Sequence, residues 1–178
     1  DFSEPKEKKM LNINVEKIDN NFEAYNKKSF DFYLAIGDNK KREVWWKKLN
    51  EINISCPSLI SDKAIIERNS EIGEGNIICP NSYLGVLSKI GDNNIINTGS
   101  IIDHETIIEN NCHIAPGSTI AGRVTIKNNC FIGAGSVIKD NLLISEHSIL
   151  GAGSILLNSI DKKKCLYVGV PAKFKREI

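Results

Sequence analysis

Between residues 60 and 156 an aliphatic side chain falls on every sixth position without exception. The series runs Ile60, Ile66, Ile72, Ile78, Leu84, Ile90, Ile96, Ile102, Ile108, Ile114, Ile120, Ile126, Ile132, Ile138, Ile144, Leu150 and Leu156. Two residues before most of them stands something small, such as Ser82, Ser100, Cys112, Ser118, Ser136 and Ser154. A period of six fits neither the helical 3.6 nor plain strand alternation, but it is a multiple of two, so short strands separated by turns can carry it. Each hexad then supplies one strand and one corner, the aliphatic residue pointing inward and the small one filling the space beside it. Such a repeat predicts a parallel β-helix. Three hexads close a triangular coil, so residues eighteen apart stack: Ile78, Ile96, Ile114, Ile132 and Leu150 in one column, Ile72, Ile90, Ile108, Ile126 and Ile144 in another.

The pattern also divides the chain. Residues 1–57 do not keep the hexad phase and are predicted to form a small α/β unit. Within it, 1–29 reads as loops with an apolar hint only at 15–18. The run Phe-Asp-Phe-Tyr-Leu-Ala-Ile over 30–36 predicts a strand, Gly37-Asp38-Asn39 a turn, and 40–51 a helix with Val44, Trp45 and Leu49 on one face. Strand, glycine turn and helix make half of a Rossmann-like unit, whose helix N-terminus can receive a phosphate; a plain structural turn fits the single glycine as well. The coils occupy 58–160, and 161–178 is expected to cap the end of the solenoid, since a bare end invites edge pairing.

Charge adds little. The formal net charge is +1, which argues neither for nucleic acid nor for an anionic membrane. No stretch approaches the ~20 apolar residues that span a bilayer, and no secretory signal opens the chain, so a cytoplasmic protein without membrane insertion is expected. The five cysteines, at 56, 79, 112, 130 and 165, form no CxxC pair and no zinc spacing, and are expected as free thiols.

Chemistry is sparse: three histidines, His104, His113 and His147. His104 follows Asp103 and precedes Glu105. With Ile102 pointing inward, His104 lies at or near a corner of the prism, and an imidazole oriented by a carboxylate suits a general base; a solvated surface histidine is the plain alternative. His113 precedes inward Ile114 and lies half a coil away, on a different side of the triangle, so a site using both forms more easily between neighbouring subunits. His147 reads as merely exposed. No serine or cysteine has a nucleophile's setting, and no acidic or histidine cluster has metal-ligand spacing.

The stretch from Ile101-Ile102-Asp103-His104-Glu105 through Cys112-His113-Ile114-Ala115-Pro116-Gly117, then Cys130-Phe131-Ile132-Gly133-Ala134-Gly135-Ser136, Ile149-Leu150-Gly151-Ala152-Gly153 and Val168-Gly169-Val170-Pro171-Ala172-Lys173 resembles the bacterial hexapeptide-repeat sugar acyltransferases. Within that class it looks most like the nucleotide-amino-sugar N-acetyltransferases, with sialic acid O-acetyltransferases as near relatives. The resemblance implies a left-handed parallel β-helix behind a Rossmann-like subdomain, assembled as a homotrimer. It implies acetyl-CoA as co-substrate, no metal, and acetylation of a UDP-4-amino-sugar for surface glycan synthesis. It further implies His104 as catalytic base with Glu105 raising its basicity, His113, Ala134 and Ala152 as acetyl-CoA-binding positions, and Gly37 and Asn97 as substrate-binding positions. The family's Gly-rich loop of the Gly-His-Gly kind precedes what Asp1-Phe2 corresponds to, so either such a loop lies upstream of Asp1 or the acceptor is held differently. A non-catalytic β-helix scaffold is the reading from another class, and it predicts no saturable binding of acetyl-CoA.

Overall fold

In a computed structural model the described residues are 9–10, 13–14 and 31–178. The predicted stretch at 15–18 and Phe30 lie outside them. From residue 59 onward every hexad forms a two-residue strand, and the strands stack in three parallel sheets that wrap around one core. The first face starts with Leu59–Ile60, Ile77–Ile78, Ile95–Ile96 and His113–Ile114. The second runs from Ile65–Ile66 through Ile101–Ile102 to Ile155–Leu156, and the third from Glu71–Ile72 to Leu143–Ile144. Register is eighteen residues throughout: Ile78 lies against Ile96, Ile96 against Ile114 and Ile114 against Ile132. Both predicted columns are therefore present.

From Ile78 to Leu156 each inward aliphatic is between 0 and 3% exposed. Ile60 and Ile66 differ, at 42% and 38%, because no coil underlies theirs among the described residues. From Asn76 onward the small residues are buried as expected, and most of their polar atoms are spent on backbone; Ser88 Oγ and Asn94 Nδ2 are exceptions, buried without a partner among the described residues. Ser118 Oγ donates to the carbonyls of Ala115 and Gly133, and Asn94 Oδ1 accepts from the Cys112 amide. A larger side chain would not fit there, and an unbonded hydroxyl would carry the cost of desolvation.

The corners obey a rule of their own. At every sixth residue from 69 to 153 the backbone has a positive φ, near 60°. Asparagine and glycine are the residues that enter this conformation at least cost, and they occupy most of these positions. The three corner columns are nevertheless unlike one another. One holds Asn81, Gly99, Gly117, Gly135 and Gly153; another Gly75, Asn93, Asn111, Asn129 and His147; the third Asn69, Leu87, Glu105, Arg123 and Asn141.

The chain closes with Cys165–Val168, which adds parallel to Ile149–Leu150, and Lys173–Glu177, which folds back antiparallel on it. At the other end, helix α1 (Asn39–Glu51) lies against the first face, capped by Asp38, whose carboxylate accepts the Lys41 amide. Its buried residues are Arg42, Trp46 and Leu49; Val44 is 52% exposed, so the inward face is rotated from the predicted Val44-Trp45-Leu49 stripe. Trp46 decides this: its ring covers Gly75 so closely that a Cβ there would lie 2.2 Å from it. No strand forms over 31–36. Phe32 donates one bond to the Ser55 carbonyl, and Ala35 and Ile36 close tight local turns onto Tyr33 and Leu34. The only other strands described before the coils are the antiparallel pair Lys9–Met10 and Ile13–Asn14, so the described residues do not assemble a Rossmann-like sheet.

Candidate active site

His104 and Glu105 sit at the corner after the second face, in the column where glycine and asparagine give way to Leu87, Glu105 and Arg123. The fold turns Glu105 outward at φ 57°, and its amide is held by the Val86 carbonyl one coil below. His104 Nδ1 lies 3.0 Å from Glu105 Oε2, and Arg123 Nε donates to the same oxygen at 2.9 Å. A carboxylate only accepts, so the shared proton belongs to Nδ1 and the lone pair of the neutral ring to Nε2. The His104 hydrogen bond, foremost, and Arg123 hold the Glu105 carboxyl below its usual range. The far edge of the ring lies over Gly122, where a Cβ would come within 2.5 Å of Nε2. Gly122 is thus the shelf that His104 rests on, and a residue the sequence reading passed over. Its signal was there, since it stands eighteen residues after His104.

His113 lies on the first face, so the two histidines occupy different sides of the prism as predicted. Its ring makes two hydrogen-bonding contacts: Nδ1 with the Gly37 carbonyl at 3.2 Å and Nε2 with Asn97 Nδ2 at 3.2 Å. Phe131 packs edge-on, ring centroids 5.1 Å apart. Gly37, Asn97 and His113 therefore form one cluster. Burial, ahead of Arg42 nearby, lowers the pKa of His113 from its ordinary 6.5, while the Gly37 bond pulls the other way.

Beside this cluster a cleft of about 550 Å³ opens between the start of α1 and the solenoid, lined among others by Gly37, Lys40, Asn129, Phe131, His147 and Lys164. His147 is half-buried there and is not the plainly exposed residue expected. Ala134 and Ala152 are both exposed at the glycine-rich corner, eighteen residues apart, each followed by a glycine with open space about it. The structure joins His104 to Glu105, and Gly37 to Asn97 and His113; Ala134 and Ala152 stand higher on the same corner that Asn97 begins. All five cysteines are free thiols. Among the described residues no group of three His, Cys, Asp or Glu could hold a metal, and no helix is long and apolar enough to cross a membrane.

A family model described as bacterial transferase hexapeptide, six repeats, matches residues 88–122. Among solved structures, PerB of Caulobacter crescentus, a perosamine N-acetyltransferase solved with CoA and GDP-perosamine, is 30% identical. The match covers 86% of this chain and 74% of PerB, with a TM-score of 0.83. The chain belongs to the bacterial hexapeptide-repeat acyltransferases. WeeI of Acinetobacter baumannii AYE is similar to this acyltransferase at 26% identity, over 94% of this chain and 80% of WeeI, with a TM-score of 0.85. The acetyltransferase domain of PglB from Neisseria gonorrhoeae FA1090, solved with acetyl coenzyme A, is 25% identical over 85% of this chain and 75% of its own, at a TM-score of 0.80. A search of curated proteins finds no match.

Proposed function

We propose that this acyltransferase moves the acetyl group of acetyl-CoA to the amino group of a nucleotide-linked amino sugar, with His104 as general base. The observation that carries the reading is the His104–Glu105 pair on its open corner, in a fold whose relative PerB is solved with CoA and GDP-perosamine. The amine attacks the thioester carbonyl, its proton passes to His104 Nε2, the C–N bond forms and the C–S bond breaks. The proton then goes to the departing CoA thiolate. Glu105, itself braced by Arg123, holds the ring so that Nε2 and not Nδ1 faces the reaction. Backbone amides serve the oxyanion, so no acyl-enzyme is needed.

The remaining residues divide by where they stand. Ala134 and Ala152, on the open glycine corner, offer backbone to the cofactor, and His113 meets its reacting end. Gly37 and Asn97, with the cleft at the start of α1, hold the nucleotide sugar. The His104–Glu105 pair follows the second face while His113, Gly37 and Asn97 meet on the first, so we propose a homotrimer in which each site draws on two subunits. The outer surface of the second face supports this: Ile65, Ile101 and Val137 are 57%, 42% and 39% exposed, with Val86 and Leu87 beside them, an apolar strip of the kind that marks an interface.

The test is thiol release from acetyl-CoA with a UDP-4-amino sugar, a GDP-4-amino sugar and a sialic acid as separate acceptors. We expect turnover with a nucleotide amino sugar, and the two nucleotides compared side by side decide which is used. His104→Ala is expected to lose about 10²–10⁴-fold in turnover while calorimetry shows unchanged CoA binding. Turnover near wild type in that variant would sink the reading, and saturable CoA binding would be absent if the protein were a scaffold.

A further inference from the structure

Among the described residues Arg42 is the charged side chain buried in the interior, 1% exposed, and no carboxylate of those residues forms an ion pair with it. Its guanidinium donates instead to oxygens from three parts of the chain. Nε bonds the Asn93 carbonyl at 3.0 Å, and Nη2 bonds the carbonyls of Asn111 and Cys112 at 3.1 and 3.0 Å and Asn39 Oδ1 at 2.8 Å. Nη1 bonds the Ile36 carbonyl at 2.9 Å and reaches the Gly37 carbonyl at 3.5 Å. Burial lowers its pKa to about 10, so it remains charged at neutral pH. A buried charge is a costly way merely to dock a helix, because apolar residues of similar volume do it as well or better. What a guanidinium adds is a rigid fork that fixes several oxygens at once.

Those oxygens bracket His113. Cys112 precedes it in the chain, and Gly37 accepts from its Nδ1. On the other side of the ring, Asn97 Oδ1 accepts the Thr98 amide at 2.8 Å, which turns Nδ2, a donor only, toward His113 Nε2. A donor facing Nε2 requires a lone pair there, and a carbonyl facing Nδ1 requires a proton there. The two demands agree on one neutral tautomer. Moving the proton to Nε2, or protonating the ring, sets N–H against N–H and breaks the contact between His113 and Asn97.

We propose that Arg42 is a positioning residue for His113: by clamping Ile36, Gly37 and Cys112 it keeps the imidazole neutral, protonated at Nδ1 and joined through Nε2 to Asn97. The proposal rests on the reading above only for the kinetic consequence, since the tautomer is a property of the free protein.

The experiment uses the full chain labelled with ¹⁵N-histidine. Long-range ¹H–¹⁵N correlations report the tautomer at neutral pH, and the His113 signals are assigned by their absence in His113→Gln. The expected result is a single Nδ1–H tautomer in the wild type. In Arg42→Met it gives way to a mixture, and the KM for acetyl-CoA rises severalfold because the ring is no longer held in one orientation. An Nε2–H ring in the wild type overturns the proposal, and so does a folded Arg42→Met that keeps the wild-type tautomer. Should Arg42→Met not fold by circular dichroism, Arg42→Lys carries the same test, because a single ammonium cannot span all of these oxygens. If the wild type acetylates no amino sugar yet the tautomer shifts in the variant, the proposed function fails and the positioning role stands.

Discussion

At the scale of single residues, Gly122 and His113 carry the sharpest expectations. Gly122 has no positive φ, so alanine is compatible with its backbone, and the added methyl meets chiefly the His104 ring. Gly122→Ala is therefore expected to lower turnover at least tenfold through a displaced base, with thermal stability close to wild type; an unchanged kcat with a folded protein would show that the ring is not held where the geometry requires. For His113 the sign follows from burial. Its folded-state pKa lies below the ordinary 6.5. As pH falls below about 6.5 the unfolded chain takes up a proton that the folded ring refuses, so stability decreases with falling pH in that window and is fully present above it. The urea midpoint of the wild type should fall more steeply below pH ~6.5 than that of His113→Gln. Parallel curves for the two proteins would contradict this.

At the scale of elements, α1 is a helix by composition and a docking piece by context. Its first turn contains no acidic residue, so Asp38 alone supplies the N-cap. Asp38→Ala should cost about 1 kcal/mol in a urea titration and loosen the start of the helix, where the cleft opens. No loss of stability would mean that docking through Trp46 and Arg42 holds the helix without its cap. The face that α1 buries was misread from sequence because Val44 and Trp45 outweigh an arginine on any hydrophobicity argument. Arg42 goes inward because oxygens at Asn93, Asn111 and Cys112, between 51 and 70 residues away, are waiting for it. The strand predicted over 30–36 does not form over its described residues, 31–36, for a related reason: an apolar run becomes a strand only where a neighbouring edge pairs with it. Here the segment spends its amides on local turns and on Ser55.

At the scale of the molecule, the three faces differ in what they present. α1 packs against the first, the third carries the Lys89–Glu71 ion pair beside the exposed Ile107 and Leu143, and the second presents Ile65, Ile101 and Val137 alternating with Tyr83 and Thr119. The homotrimer proposed here places that second face between subunits. Ile101→Glu should then yield monomers by light scattering with size exclusion and lose most acetyl transfer, while the coil core, whose inward residue there is Ile102, remains intact. A variant that stays monomeric yet fully active would remove the shared-site arrangement.

The solenoid was legible because its determinants are local and repeated: one inward aliphatic and one small residue per hexad specify a strand, a corner and an eighteen-residue register wherever they occur. The His104–Glu105 pair was legible for the same reason, since neighbours in sequence stay neighbours at a corner. The cluster of Gly37, His113 and Asn97 was not legible as a cluster, and neither were the inward turn of Arg42 and the cleft that His147 lines. Those depend on how α1 sits on the first face, a matter of which distant carbonyls and glycines receive Arg42 and Trp46. Periodicity determined the rod; the docking of one helix, settled by unmet backbone oxygens and the space above Gly75, was decided by the tertiary structure alone.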